Sequence, residues 1–148
     1  MDRVIDFIFY AVLIFISIKD LKEKIIPDIF NLIIILLGIV KIIFLGGDFE
    51  KSFIGMGVFP IIFILIYGYV SDLLKKDVIG FGDIKLMGAA GFFLEYSGIY
   101  NLIILYNTIF TAALVCMLPL LLLGKIKRET EIPFAPFISL GIIFWSFL

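Results

Sequence analysis

Residues 80–93 read GFGDIKLMGAAGFF. Two glycines precede an aspartate, a lysine follows two positions on, and small residues (Gly88, Ala89, Ala90, Gly91) fill the apolar part. Small residues let helices approach closely in lipid, where packing drives association. The stretch therefore predicts a helix inside a membrane bundle, entered through a charged mouth. Its apolar run, 84–94, is too short to cross alone a bilayer core of roughly 30 Å, which takes about 20 helical residues.

The rest of the chain agrees with a lipid setting. Of 148 residues, 63% are hydrophobic and 17% charged, with a mean hydropathy of +1.22. A soluble domain of this size needs a polar exterior, and these residues cannot supply one. The net charge of −1 leaves no basic face for nucleic acid. Cys116 is the single cysteine and histidine is absent, so an internal disulfide, a zinc thiolate cluster and an imidazole base are all excluded. Chemistry here falls to carboxylates, lysine, hydroxyls or one thiol, and no metal or cofactor is expected.

Apolar runs at 4–18, 29–45, 53–70, 84–94, 99–123 and 133–148 predict an all-α, polytopic membrane bundle of about six spans, as a single domain over 1–148. The n-region of the start, MDRVIDFIFYAVLIFISIKD, holds two aspartates against one arginine and no small-residue cleavage site follows, so it reads as a retained span. Loops one (19–28), three (71–83) and five (124–132) hold Lys19, Lys22, Lys24, Lys75, Lys76, Lys125, Lys127 and Arg128. Loop two holds Lys51 and loop four no basic residue. The positive-inside rule makes the odd loops cytoplasmic. Pro60 and Pro119 predict kinks, and Pro27, Pro133 and Pro136 sit near helix starts.

That orientation, drawn from basic residues alone, puts Asp20 and Asp83 on one face. Two carboxylates brought close cannot both ionise, so one keeps a proton. The ionised one can activate water against a peptide carbonyl while the other donates to the carbonyl oxygen. Gly80 and Gly82 would allow turns closed to other residues and the approach of a substrate strand. Lys85 points to another side of its helix and need not neutralise Asp83. Other readings stand beside this one. Asp83 suits an N-cap, and Asp20 a solvated loop. Asp6, Lys41, Asp48 and Glu95 suit span-end anchors. Asn31, Asn107 and Thr108 suit interhelical hydrogen bonds, and Cys116 a small packing residue.

GFGDIKLMGAAGFF resembles the GxGD motif of the type IV prepilin peptidases. DLKEKIIPD (20–28) is similar to that family's first-aspartate motif, and IPFAPFISLG (132–141) to its closing segment. The three occur in family order and span nearly the whole chain. The resemblance implies a six-helix GxGD aspartyl protease that removes the short basic leader of prepilins, pilin-like proteins or preflagellins at the cytoplasmic face of the cell membrane. The catalytic pair would be Asp20 and Asp83, with Gly80, Gly82, Lys85 and Pro27 shaping the site and 133–141 structural or lining it. Paired CxxC motifs and their domain, found in members that also methylate the new N-terminus, are absent. The chain is closer to the short, peptidase-only members found with tight-adherence pili and to archaeal preflagellin peptidases, so methyl transfer is not implied.

A basic leader would meet further acids on that face: Glu23, Asp28, Asp72 and Asp77 are the candidates to attract it, or else they balance nearby lysines. Two other functions compete. A small ion-coupled transporter would use Asp20 or Asp83 as an ion site, against which no charge pair lies mid-span and no repeat is visible. A non-catalytic assembly subunit of a pilus or secretion machine would not need both aspartates.

Overall fold

The computed structural model describes residues 2–75, 79–123 and 133–147, and every regular element among them is helical. Helix α1 (Asp2–Glu23) is followed by α2 (Asp28–Leu45), α3 (Phe49–Val58), α4 (Ile61–Leu65), a π-helical turn (Ile66–Val70), α5 (Ser71–Leu74), α6 (Phe81–Leu94), α7 (Ile99–Leu122) and α8 (Ala135–Trp145). The stretch from α3 to α5 forms one rod, so six rods make a polytopic membrane helix bundle. Three of them, Asp28–Leu45, Phe49–Leu73 and Ile99–Pro119, are long and apolar enough to cross a membrane by themselves.

Pro60 divides α3 from α4, as the missing N–H and the ring clash dictate. Pro119 lies inside α7, which runs on to Leu122. The π-helical turn is a feature the apolar pattern did not announce. Two loops are shorter than the charge pattern suggests. Helix α1 continues through Asp20 to Glu23, closed by Lys24 in the left-handed conformation (φ 54°), so Asp20 stands on a helix and not in a loop. Helix α3 starts four residues before its apolar run because Asp48 caps it, accepting from the Glu50 and Lys51 N–H groups at 3.0 and 3.2 Å.

The short α6 sits in the middle. Ten of its 14 residues are buried, and it packs against α2 and α3 with lighter contact to α8 and α4. Its glycines make the α3 crossing possible: a Cβ on Gly91 would stand 2.7 Å from the Phe59 Cβ, and one on Gly55 would run into the Gly91 carbonyl. The core continues through Phe9, Leu13 and Ile16 of α1, Leu105 and Ile109 of α7 and Ile138 and Ile142 of α8, all fully buried. Phe7, Phe15, Ile43, Phe44, Leu114 and Val115 face outward, as lipid contact requires. Cys116 is exposed on α7, contrary to its expected packing role.

Polar contacts between helices are few and specific. Thr108 Oγ1 reaches the Gly141 carbonyl (3.2 Å), joining α7 to α8, and the Tyr106 hydroxyl donates to the Phe59 carbonyl. Among the described residues, Asn107 bonds within its own helix, to Ile103. Asn31 is buried with neither amide atom paired, so its expected interhelical bond is not formed among the described residues. At one end of the bundle Lys41 pairs with Glu95 (3.1 Å) and donates to the Phe93 carbonyl (3.1 Å), tying α2 to α6. The opposite end, where α1 finishes and α2, α6 and α8 begin, is held differently.

Candidate active site

Four helix termini meet at that opposite end around a cavity of about 580 Å³. Asp20 enters it from the last turn of α1 and Asp83 from the first turn of α6, with Pro27, Gly80, Gly82, Lys85 and Asp28 also in its wall. The segment before α8 closes it with Pro133 and Phe134. Two carboxylates 63 positions apart in the chain thus share one chamber.

Each aspartate is held by backbone. Asp20 Oδ2 accepts from the Ala135 N–H at 3.1 Å, the first residue of α8. Orphan N–H groups and partial positive charge gather at a helix N-terminus, so α8 aims a fixed anion-stabilising end at Asp20. A small network keeps α8 in that register. Ser17 Oγ, one turn before Asp20, donates to the Leu13 carbonyl (2.8 Å) and lies 2.9 Å from Ser139 Oγ. Ser139 donates to the same carbonyl at 3.2 Å. The sequence reading named the 133–141 segment without singling out Ala135 or Ser139 within it, and missed Ser17. Serines in an apolar helix were the available signal, and a backbone donor leaves none.

Asp83 is not the N-cap; Gly80 is, and Asp83 is the third helical residue. Its Oδ2 turns back to accept from the Gly80 N–H at 3.2 Å, the reciprocal half of a capping box whose other half glycine cannot make. Its Oδ1 is buried and unpaired among the described residues. Both aspartates lie beyond the apolar runs 4–18 and 84–94, and both are under 10% exposed. Burial raises the pKa of Asp20 above the ordinary carboxylate value, offset in part by the Ala135 N–H. Burial, and then the neighbouring charge of Asp20, push Asp83 up to about 7. That is the behaviour expected of two carboxylates that line one cavity.

The glycines act through space and not through unusual dihedrals. Gly80 has φ −72° and ψ 144°, open to any residue. A Cβ there would stand 3.3 Å from Asp83 Oδ2, and one on Gly82 would stand 3.2 Å from the Ile26 Cβ in the cavity wall. Lys85 leaves Asp83 alone, as expected, and binds Asp28 instead. Of the described acids expected to greet a leader, Glu23, Asp28 and Asp72, only Asp28 lines the cavity. Glu23 is exposed beside Lys19 (3.6 Å) and Asp72 is exposed on α5. Asp77 lies outside the described residues, as do Lys76, Lys125, Lys127 and Arg128. Among the described residues no three His, Cys, Asp or Glu side chains group as metal ligands.

Residues 7–121 match the type IV leader peptidase family, a region that carries both cavity aspartates. The chain belongs to that family. It is 28% identical to the prepilin leader peptidase/N-methyltransferase of Xanthomonas campestris pv. campestris over 86% of its own length, but spans only 45% of that protein. It is 27% identical to the leader peptidase HopD of Escherichia coli, covering 100% of this chain and 97% of that one. No solved structure matches it significantly. In this leader peptidase family member, Pro133 and Phe134 of the cavity wall and Ala135, the donor to Asp20, lie beyond the matched region.

Proposed function

We propose that this family member is an aspartyl endopeptidase that cuts the leader from prepilin-like or preflagellin-like membrane substrates at the cytoplasmic membrane surface. The observation that carries the reading is the shared cavity of Asp20 and Asp83, coupled closely enough that one charge raises the proton affinity of the other. Whole-chain similarity to a protein named leader peptidase supports the substrate class. The lysines at 19, 22, 24 and 75 support the cytoplasmic side.

The unequal settings of the two aspartates suggest their roles. Asp20 receives a backbone N–H from the start of α8, which favours its ionised form. Asp83 is more deeply desolvated and keeps one oxygen unpaired, which favours its protonated form. Asp20 then takes a proton from water as the oxygen attacks the scissile carbonyl carbon. Asp83 gives its proton to the carbonyl oxygen, and a tetrahedral diol forms. Collapse breaks the C–N bond, Asp20 passes its acquired proton to the leaving amine, and Asp83 recovers its own from the diol. The dyad needs no cofactor for these steps, and no methyl transfer is assigned to these residues. The substrate's apolar helix would lie against the bundle, presenting the bond at the membrane surface.

The test is cleavage of a purified prepilin by the protein in liposomes. Asp20→Asn and Asp83→Asn should each reduce turnover by at least about 100-fold, the usual scale for losing a general acid or base. Both should remain inserted and folded. Turnover within a few-fold of wild type in either variant would remove the dyad.

A further inference from the structure

An ion pair that the chemistry above does not use crosses the rim of the cavity. Lys85 of α6 donates to both carboxylate oxygens of Asp28 on α2, at 2.8 and 3.0 Å. Its ammonium also stands 5.3 Å from the centre of the Phe81 ring. Lys85 lies two residues after Asp83, close to the N-terminus of α6. That helix end carries partial positive charge, so a cation is poorly placed there unless an anion meets it. Asp28, in the first turn of α2, is that anion.

Among the described residues, the charged groups around the cavity are Asp20 from α1, Lys24 from the turn after it, Asp28 from α2, and Asp83 and Lys85 from α6. Pro133 and Phe134, leading into α8, add none. An ammonium turned inward would favour two ionised carboxylates and leave no proton for the carbonyl oxygen. The pair is open to solvent, with side chains 41% and 74% exposed for Lys85 and Asp28, so it adds little to stability. Its consequence is where the cation rests.

We propose that Asp28 is a positioning residue that holds the Lys85 ammonium at the cavity rim, so that Asp20 and Asp83 share a proton instead of a counterion. The inference rests on the dyad reading and adds a residue that touches neither water nor peptide. It accounts for where a lysine that lines the same cavity as the two aspartates is held. It also turns Asp28 from a leader contact into a partner of the site's own lysine.

The test compares wild type, Asp28→Asn, Lys85→Gln and the double variant, all as the full chain in liposomes, by the pH dependence of prepilin cleavage. Asp28→Asn should move the alkaline midpoint down by about 0.5–1 unit, and the shift should shrink in high salt. In the Lys85→Gln background the same change should move it by less than about 0.2 unit, leaving only the screened charge of Asp28 itself. Asp28→Glu, which keeps an anion, should stay close to wild type. An equal shift with and without Lys85 would mean that Asp28 acts by its own charge, and no shift in either background would mean that it acts on nothing in the site. Either result overturns the proposal. Carbon-13 titration of labelled aspartate carboxyls follows Asp83 without any cleavage. If those midpoints move as expected while Asp20→Asn still cleaves, the positioning stands and the catalytic role of the dyad falls.

Discussion

Asp83 is a carboxyl that folding makes harder to ionise, with a proton affinity raised from the ordinary 3.8 to about 7, first by burial and then by Asp20. A group with a raised folded pKa favours the folded state fully below its unfolded pKa and loses that advantage as pH climbs through the folded value. Asp83 therefore costs stability increasingly between about pH 4 and pH 7. Asp83→Asn, isosteric and never charged, should gain melting temperature over wild type in detergent as pH rises through this window and hold that gain above it. A difference between the two proteins that stays constant from pH 4 to pH 8 would contradict the buried, proton-bearing setting. Cleavage should fall over the upper part of the same range, because the donor to the carbonyl oxygen is being lost.

The helix that carries Asp83 is positioned by contacts it can make only because it lacks side chains. A Cβ on Gly91 would stand 2.7 Å from Phe59 Cβ, within the α3–α6 crossing, and no flexible chain end is there to give way. Gly91→Val should destabilise the protein by about 1–3 kcal/mol, the usual cost of overpacking. It should also lower turnover, since tilting α6 moves Asp83 relative to Asp20. Gly57, on the exposed side of α3, has nothing within 4 Å of a Cβ. Gly57→Ala should be neutral or gain up to about 1 kcal/mol from helix propensity. Thermal unfolding in one detergent compares the two. Equal effects would mean that α3 and α6 do not cross through Gly91.

At the scale of the molecule, the two ends of the bundle are chemically distinct. One holds the cavity and the Lys85–Asp28 pair, the other the Lys41–Glu95 pair and the capped start of α3. With Cys116 changed to serine, a cysteine at Lys22 should resist membrane-impermeant thiol reagents added outside intact cells, while one at Lys51 should react. Labelling at Lys22 and not at Lys51 would invert the protein and put the cavity on the outer face.

The sequence by itself determined the setting and narrowed the reagents. Apolar runs of near-span length require a helix bundle, because lipid offers a backbone no other partner than itself. Without histidine, and with one cysteine, chemistry is left to carboxylates, lysine, hydroxyls or one thiol, and the resemblance carried by GFGDIKLMGAAGFF and DLKEKIIPD names Asp20 and Asp83 as the proposed pair. The burial of α6 was legible too, in its shortness and its small residues. The tertiary structure alone decided what those carboxylates experience. That α8 offers Asp20 the Ala135 N–H and that Lys85 is bound by Asp28 depend on contacts between residues 115 and 57 positions apart. Backbone donors have no residue signature, and a lysine near an acid does not reveal which acid it serves. Local sequence sets helix type and polarity, whereas proton affinity follows from burial and neighbouring charge, which exist only once the helices have packed.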